Sequence, residues 1–441
     1  MQLKAHQQEF KFHDGDLLEE ICELYNLTEA FKAVKRNKGA PGVDGITITE
    51  YEKNLDQELR QLKQEVLSWS YKPTPVKRVE IPKPNGKGVR LLGIPIIKDR
   101  VLHMAIKRIL EPLIDPIFSK NSYGFRPGRS QRNAVEAARE IVRSGKEYVV
   151  DIDLSKFFDR INHDRLIYRL AEHVKDKRVL RLIGMTLRSG IMSQEGLTIP
   201  TEGSVQGSPL SPLLSNVVLD ELDKELEKRN LEFCRFADDC NIFVKTEKAA
   251  NRVMDSIKKF IEKKLKLKVN EEKSQVAKSD RVKFLGMTIV NGLIAIAKAS
   301  YNKAMEKVKT LIPRGSHQPI EQAIEQFNEW YRGWGAYFSM TQYPAQLAGL
   351  EAHARRRYRA RFVKQQKKPR HLYRKLVKLG VTRKQAAGAA YGNKGPWKTS
   401  HTRGVEQAYS NKWFKEKAKL LTLSERRLDH WMPVATWVKL V

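Results

Sequence analysis

The sequence predicts an α/β protein, in which short β-branched runs alternate with stretches of helical periodicity. The clearest run is EYVVDID at 147–153, which is apolar and ends in acidic residues just before a helix-forming stretch. A second is LEFCRFADDCNIFV at 231–244, where two strand-like runs flank an Ala-Asp-Asp tip, as in a hairpin. A chain of 441 residues, 41% of them hydrophobic, can form about three domains with real cores.

The other elements follow from local patterns. Helical periodicity is present at 17–36, and a Gly- and Pro-rich loop then leads to another helical stretch. The runs 76–82 and 88–95 flank an Asn-Gly turn and predict an exposed, basic β-hairpin. Apolar residues recur every three or four positions later in the chain, as in a packed amphipathic helix. Further helices are therefore predicted at 98–113, 131–144 and 320–338.

The charge of the chain indicates a polyanionic partner. The formal net charge is +31, and residues 351–441 alone carry 24 Lys and Arg against 5 Asp and Glu. A solvated basic surface is the alternative, but a concentration of charge in one segment favours nucleic acid. The C-terminal fifth is therefore predicted to be a binding segment.

Cysteine usage and hydropathy bear on the compartment. Cys22, Cys234 and Cys240 form an odd set without CxxC spacing, so neither a disulfide framework nor a zinc knuckle is expected. The N-terminus lacks the apolar segment of a secretory signal, and no run approaches the ~18 apolar residues of a membrane span. We expect a soluble protein of bacterial, cytoplasmic type with no membrane partner.

Three carboxylates are candidates for metal chemistry. Asp153 is the last residue of the predicted strand at 147–153, while Asp238 and Asp239 lie at the predicted hairpin tip. If the two elements are neighbours in one sheet, these groups can bind two Mg²⁺ ions, which activate an attacking hydroxyl and stabilise a leaving pyrophosphate. Most Asp-Asp pairs are solvated turn residues, but apolar strands enclose these acids, and a buried charge requires a partner.

Nine sequence blocks in chain order resemble those of group II intron-encoded reverse transcriptases, also called maturases. The resemblance covers roughly residues 30–340. It implies a right-hand polymerase fold with fingers, palm, an α-helical thumb and a small basic C-terminal domain. It also implies RNA-directed DNA polymerisation with two Mg²⁺ ions. The blocks are GAPGVDGIT, IPKPNGKGVRLLGIPIIKDR, SYGFRPGRS, VVDIDLSKFFDRINHD, GSVQGSPLSPLLSN, RFADDCNIFV, VNEEKSQV, KFLGM and NEWYRGWGAYF.

The resemblance assigns the catalytic metal ligands. Asp153, Asp238 and Asp239 correspond to the carboxylates of the palm, and the backbone carbonyl of Leu154 is a further ligand. Asp151 lies two residues before Asp153 on the same strand and is the competing candidate. The hairpin tip has Phe where most relatives have Tyr, a difference that removes a hydroxyl but no metal ligand.

The resemblance also implies a deoxynucleotide site. Cations on the basic hairpin would neutralise the triphosphate, an aromatic would exclude the ribose 2′-hydroxyl, and a later lysine would donate a proton to pyrophosphate. The alternatives are a solvated basic hairpin, a core aromatic, a helix-entry loop and a surface lysine. In the phosphate-binding role itself, Lys87 could substitute for Lys83. The hairpin cations are Lys83 and Arg90, the aromatic is Phe158, and the later lysine is Lys273. The resemblance further implies that Gln206 touches the nucleotide sugar and the templating base pair.

Nucleic-acid contacts are predicted in two segments. In YGFRPGRS, Arg126 and Arg129 would hold template phosphates, or alternatively close an acidic loop. In HARRRYRARF, arginines alternate with aromatics, as phosphate tracking and base stacking require. The arginines of this second segment are Arg355, Arg356, Arg357, Arg359 and Arg361.

Four regions are predicted along the chain. Residues 1–80 form an N-terminal extension and a fingers region containing the lid, and 81–298 form the fingers and palm core. Residues 299–365 form the helical thumb, the maturase-specific domain X, and 366–441 form a basic DNA-binding tail. The endonuclease domain that many relatives carry after the tail is not expected.

The function implied is extension of a primer with dNTPs on an RNA template. Assistance to intron splicing and retrohoming is also implied. The expected partners are RNA, namely the intron RNA itself, a DNA target or primer, and dNTPs, with a monomer favoured over a homodimer. Two alternatives keep part of this chemistry. One is a free-standing reverse transcriptase in repair or phage defence, and the other is an RNA-binding splicing cofactor with little polymerase activity.

Overall fold

Strands and helices alternate through the first part of the chain in the computed structural model, which describes residues 16–82, 88–313, 315 and 318–424. Beyond residue 297, the described elements are all helical. The strands are β1 Val76–Pro82, β2 Val89–Ile94, β3 Tyr148–Ile152, β4 Ile191–Ser193, β5 Gly196–Thr198, β6 Glu232–Phe236, β7 Asp239–Val244, β8 Gln275–Lys278, β9 Met287–Val290 and β10 Leu293–Ile296.

The α-helices include both short connecting turns and long packed helices. Short 3₁₀ segments lie at Asp115–Ile117 and Phe157–Arg160, and a π-helical turn lies at Ile261–Leu265. The α-helices are α1 Leu17–Ile21, α2 Leu24–Arg36, α3 Ile48–Lys53, α4 Leu55–Leu67, α5 Ile97–Ile114, α6 Gln131–Arg143, α7 His163–Ala171, α8 Lys177–Leu187, α9 Ser211–Lys228, α10 Glu247–Phe260, α11 Lys298–Leu311, α12 Ile320–Phe338, α13 Pro344–Gln365, α14 Pro369–Lys378, α15 Arg383–Ala390, α16 Pro396–Thr399, α17 Arg403–Ala408 and α18 Asn411–Glu416.

Most predicted elements match the observed ones within a few residues. β3, the β1/β2 pair, the β6/β7 hairpin and helices α5, α6 and α12 all lie where the sequence predicts them. The helix predicted at 17–36 is wrong in one respect, because it is interrupted between α1 and α2. Glu23 adopts φ −58° and ψ 131°, which is extended and breaks the helical hydrogen bonding.

The helix starts follow from capping side chains. Thr47 accepts a hydrogen bond from the backbone of Glu50, whose carboxylate accepts one from the backbone of Thr47, which is a complete capping box for α3. Asn162 and Thr246 cap α7 and α10 more simply, because each side-chain oxygen accepts one hydrogen bond from a backbone N–H of the first turn. The helix that follows β3 and the helix that follows β7 thus begin at defined residues.

The chain divides into two compact units, which are described separately. The first comprises residues 1–134 and 146–277, and the second comprises 135–145 and 278–441, as far as the structure describes them. The first unit contains a sheet of order β2-β1-β4-β5, with β1 antiparallel to β2 and parallel to β4. The second sheet of this unit has the order β6-β7-β3-β8, and we call it the carboxylate sheet.

The core of the first unit joins the carboxylate sheet to its helices. Val150 of β3 and Leu219 of α9 are fully buried in it, as are Leu27 of α2 and Ile106 of α5. Because α9 is buried along much of its length, it forms a rigid support behind the strands. The acidic strand ends therefore project from a packed scaffold.

The second unit has a helical core of its own. Val308, Phe327, Leu350 and Tyr358 come from α11, α12 and α13, and Phe414 of α18 joins the same cluster. This core extends to residue 420, so the boundary predicted between residues 365 and 366 falls within it. Among the helices that the structure describes, none is both long and apolar enough to cross a membrane.

Candidate active site

The tip of the β6/β7 hairpin carries two of the candidate carboxylates. Phe236 pairs with Asp239 in the last step of the antiparallel register, which leaves Ala237 and Asp238 as the turn. Ala237 has a left-handed backbone with φ 57°, which is unusual for a residue with a Cβ. The turn is therefore tight, and it directs two consecutive aspartates to the end of the carboxylate sheet.

The third carboxylate lies on the neighbouring strand. β3 is antiparallel to β7, and Ile152 pairs with Cys240 at the end of their register. One step further along the same register, Asp153 is opposite Asp239. The requirement that the two acidic elements be neighbours in one sheet is therefore met.

The electrostatics of the site reflect this proximity. Burial raises the pKa of Asp238, and the charge of Asp153 raises it further. A hydrogen bond within Asp238 and the cations Arg90 and Lys273 act in the opposite direction on the same pKa. Carboxylates that are partly desolvated and repel one another are stabilised by a bound cation.

Asp153 is held by a short segment after the π-helical turn. Asn270 Nδ2 donates to Asp153 Oδ1 across 3.0 Å, and the backbone N–H of Asp153 donates to Ser274 Oγ across 3.0 Å. The backbone N–H of Asn270 donates to the Asp153 carbonyl at 2.8 Å, and Leu154 pairs with Val269 in an isolated bridge. Both the main chain and the side chain of Asp153 are thus oriented.

Sequence reasoning did not identify Asn270 or Ser274. In the block VNEEKSQV, the sequence predicted a role only for Lys273. Its ammonium lies 3.5 Å from Asp153 Oδ2, and its side chain is 63% exposed. The polar residues at each end of the same turn contact the carboxylate and its backbone more closely. In a single sequence, no pattern distinguishes such an asparagine from an ordinary turn residue.

The donor set is suitable for a hard divalent cation. Within the described ranges, no group of three His, Cys, Asp or Glu side chains, the three candidate aspartates included, is placed to hold a metal ion by itself. Mg²⁺ does not need one, because it retains water and binds through one or two carboxylates together with substrate phosphates. Carboxylate oxygens at the open edge of a sheet therefore suit a hard divalent cation better than they suit a metal that prefers sulfur and nitrogen ligands.

A second feature is the loop that begins α9. The backbone carbonyl of Gln206 accepts a hydrogen bond from the Gly93 N–H of β2 at 2.8 Å. The backbone carbonyl of Phe158 accepts one from the Ser204 N–H at 2.7 Å. Phe158 is half-buried and meets Phe157 edge-on, with ring centroids 5.2 Å apart. Phe158, the candidate for excluding the ribose 2′-hydroxyl, and Gln206 thus lie on adjoining segments. Gln206 also helps to line a cavity of about 220 Å³.

Gly207 follows Gln206 and permits this close approach. Its φ is +122°, and a Cβ at this position would overlap the carbonyl oxygen of Gly93. On the basic hairpin, Arg90 is exposed and pairs with Ile81 in the β1/β2 register. Lys83 and its alternative Lys87 lie outside the described residues.

The prediction that Arg126 holds template phosphates requires correction. Its side chain is only 4% exposed, and it forms an ion pair with Asp115 at 2.6 Å. It also donates to the carbonyls of Ser119 and Ser122. The alternative of closing an acidic loop describes Arg126 better. Arg129 is half-buried and donates to the carbonyls of Lys120 and Ser122.

Three arginines of α13 also face the interior, contrary to the surface role predicted for them. Arg357 donates to the carbonyl of Ile312 at 2.8 Å, and Arg359 donates to that of Tyr409 at 2.8 Å. Arg361 is 1% exposed and donates to the carbonyl of Gln318. The reason is that α13 packs against both α11 and α16, so that much of its circumference is covered.

The two earlier arginines of α13 are half-buried. Arg355 lies 3.9 Å from the buried carboxylate of Glu351, and its side chain is 12% exposed. The guanidinium of Arg356 stacks over Trp397, with its central carbon 4.2 Å from the ring centroid. The aromatic interleaving of this segment therefore serves packing within the helical unit to a large extent.

Comparison with known families identifies two regions. Residues 81–289 match the family described as reverse transcriptase (RNA-dependent DNA polymerase). Residues 301–380 match the maturase-specific domain of group II introns. The first range contains the whole carboxylate sheet, and the second contains most of α11 and all of α12, α13 and α14.

Similar proteins include two bacterial chains. Protein YkfC of Escherichia coli K12 is 32% identical over 315 residues, which are 62% of this chain and 82% of YkfC. The group II intron-encoded protein LtrA of Lactococcus lactis is 28% identical over 366 residues, which are 68% of this chain. The match spans 60% of the length of LtrA. Among solved structures, a chain of a partial Cas6-RT-Cas1–Cas2 complex is 26% identical, with TM-score 0.37, over 56% of this chain and 42% of that one.

Proposed function

This chain belongs to the family of group II intron-encoded reverse transcriptases and maturases, and we propose that it extends a primer with deoxynucleotides on an RNA template. The observation that carries the proposal is the position of Asp153 opposite Asp239 across β3 and β7, next to the hairpin turn that contains Asp238. Such convergence of carboxylates at a sheet edge is the arrangement that divalent-metal phosphoryl transfer needs.

We propose Asp153, Asp238 and Asp239 as the ligands of two Mg²⁺ ions, with the Leu154 carbonyl as a further ligand. When bound, these ions supply activation of the primer 3′-hydroxyl and stabilisation of the departing pyrophosphate. The chain itself contributes orientation, because Asn270 and Ser274 fix Asp153 from behind. The packed core beneath β3 and β7 limits movement of the three carboxylates.

Cations around the carboxylates are proposed to bind the triphosphate. Arg90 and Lys273 already influence the pKa of Asp238, which puts their charge within electrostatic range of the site. Arg90 would hold phosphate oxygens and Lys273 would donate a proton to pyrophosphate, while Lys83 remains a sequence-based prediction. Phe158 and Gln206 are proposed to contact the deoxyribose and the templating base pair.

Nucleic-acid binding in the second unit is assigned to exposed cations rather than to the buried arginines of α13. The segment from the end of α13 to the start of α15 carries a run of exposed Lys and Arg, which we call the α14 basic surface. Such a surface suits contacts with RNA or DNA phosphates. Its members are Lys364, Lys367, Lys368, Arg370, Arg374, Lys375, Lys378, Arg383 and Lys384.

The intron-related roles follow from family membership. We propose that the chain, as a monomer, binds its own intron RNA, assists splicing and primes cDNA synthesis at a DNA target. Residues 299–365 would act as the thumb and 366–441 as the DNA-binding tail, with 81–298 as the fingers and palm. The maturase-specific match at 301–380 supports the splicing role.

The test is primer extension on a defined RNA template with dNTPs and Mg²⁺. The native chain should extend the primer and Asp238→Asn should not, at equal RNA affinity. Asp164→Asn is the matched control, because the Asp164 side chain is 90% exposed on α7 and pairs only loosely with Arg188 at 3.2 Å. A folded, RNA-binding native chain that fails to extend would reject the polymerase role and leave the RNA-binding splicing cofactor.

A further inference from the structure

A buried arginine lies directly behind the hairpin tip. Arg235 of β6 is completely buried, and it forms an ion pair with the equally buried Asp223 of α9. Its Nε donates to Asp223 Oδ1 at 2.7 Å and one terminal nitrogen donates to Oδ2 at 2.5 Å. This two-point pairing neutralises both charges and satisfies two of the five N–H groups of the guanidinium.

The remaining donors of Arg235 point toward the turn and its support. One terminal nitrogen donates to the backbone carbonyl of Ala237 at 2.9 Å and to Asn216 Oδ1 at 3.0 Å. The other also donates to Ser122 Oγ at 2.8 Å. All five N–H groups therefore have partners, and one of these partners is the residue immediately before Asp238.

The bond to Ala237 is important because of the conformation of that residue. A left-handed backbone at an alanine is unfavourable by about 1 kcal/mol, and it persists only where surrounding contacts enforce it. The Arg235 guanidinium supplies such a contact at the carbonyl. This carbonyl belongs to the peptide bond that joins Ala237 to Asp238.

A glycine completes the support on the other side of the turn. A Cβ at Gly124 would overlap the backbone nitrogen of Ala237, so the segment before α6 packs directly against the turn. Asn216 Nδ2 donates to the Gly124 carbonyl at 2.9 Å, while its Oδ1 accepts from Arg235. The turn is thus fixed between the guanidinium and a second piece of backbone.

We propose that Arg235 is a positioning residue that orients Asp238 and Asp239 for metal binding through the carbonyl of Ala237. This inference rests on the proposed polymerase function for its consequence, but the metal affinity it concerns can be measured without catalysis. A buried guanidinium needs partners for all its N–H groups, and here the three that do not pair with Asp223 are bonded to Ala237, Asn216 and Ser122, at the turn and its support.

The test uses Arg235→Lys, which retains the charge beside Asp223 but has three donors instead of five and no planar fork. Mn²⁺ binding is followed by loss of the free-ion EPR signal, and primer extension is followed as a function of Mg²⁺ concentration. We expect about tenfold weaker Mn²⁺ binding and about a tenfold higher Mg²⁺ requirement, as for other residues that orient a metal ligand. RNA affinity should change less than twofold.

Two further variants keep the test decisive. Arg235→Gln combined with Asp223→Asn removes both charges together, leaves no unpaired ion, and should show the same loss of metal affinity even if Arg235→Lys does not fold. Leu222→Ala destabilises α9 from the core without reaching the turn, and it should leave metal binding unchanged.

The possible outcomes separate this inference from the proposed function. Native-like Mn²⁺ affinity in both folded Arg235 variants would overturn the positioning role. So would native Mn²⁺ binding that does not respond to Asp238→Asn, because the turn would then not hold the ion. A native chain that binds Mn²⁺ through Asp238 but does not extend primers would reject the polymerase function. The Mn²⁺ affinities of the Arg235 variants would then still support or refute the positioning role.

Discussion

Asn270 binds Asp153 at two points, with its side-chain amide 3.0 Å from Asp153 Oδ1 and its backbone N–H 2.8 Å from the Asp153 carbonyl. One residue thereby sets both the position of the backbone at the end of β3 and the rotation of the carboxylate. Because a metal ligand must present its oxygens at a defined angle, Asn270 is expected to influence metal binding without contacting the ion.

Replacing Asn270 with Ala tests this relationship. The backbone bond and the contact to Ser274 survive, so the fold should be retained while the carboxylate gains rotational freedom. We expect primer extension at limiting Mg²⁺ to fall about tenfold. Asn251→Ala, on the exposed face of α10, is the matched control and should extend like the native chain. Equal activity of the two variants would show that Asp153 does not depend on Asn270.

The two glycines Gly207 and Gly388 should respond in opposite directions to substitution by Ala. At Gly207, positive φ and the overlap with the Gly93 carbonyl predict a loss of about 2 kcal/mol in the free energy of unfolding. Gly388 lies exposed within α15 with open space around it, so the Ala variant should gain up to about 1 kcal/mol. Denaturant unfolding measures both, and a stabilised Gly207→Ala would contradict the observed backbone.

The buried His103 predicts a pH dependence of stability. Burial lowers the pKa of His103 from 6.5 to about 4, and its ring nitrogen Nδ1 lies 3.0 Å from Ser208 Oγ. Between these two pH values, the unfolded chain binds a proton that the folded chain does not. The free energy of unfolding contributed by His103 therefore rises with pH across this window, by at most about 3 kcal/mol.

Urea unfolding across this pH range measures the effect. In His103→Gln, part of the increase in stability between pH 4 and 6.5 should disappear, whereas the control His371→Gln, at an exposed position on α14, should retain it. A native chain and a His103→Gln chain with parallel pH profiles would show that the imidazole titrates alike in both states.

The α14 basic surface predicts a change in salt dependence. Replacing Lys367, Lys368 and Arg370 with Gln removes three exposed charges, which should reduce the slope of log affinity against log salt by about 2 for single-stranded RNA. The comparison variant is Arg359→Gln, which should reduce stability and leave the slope as it is, because Arg359 donates to Tyr409 inside the helical unit. The reverse pattern would return phosphate binding to α13.

Much of the site could be predicted from local sequence. The acidic end of β3 and the acidic tip of the β6/β7 hairpin follow from apolar runs that stop at aspartates. The family resemblance added the metal-binding roles that we propose for Asp153, Asp238 and Asp239. These features are short-range, because each depends on residues that are close together in the chain.

Only the tertiary structure decided which polar residues support those carboxylates and which arginines are exposed. Asn270 is 117 positions from Asp153, and Ser122 is 113 positions from Arg235, so no local pattern links them. Arg361 and Lys364 look alike in sequence, but one is buried within α13 and the other is exposed at its end. Periodicity alone predicts that a helix has a covered face, whereas the helices packed around it determine how much of its circumference is covered.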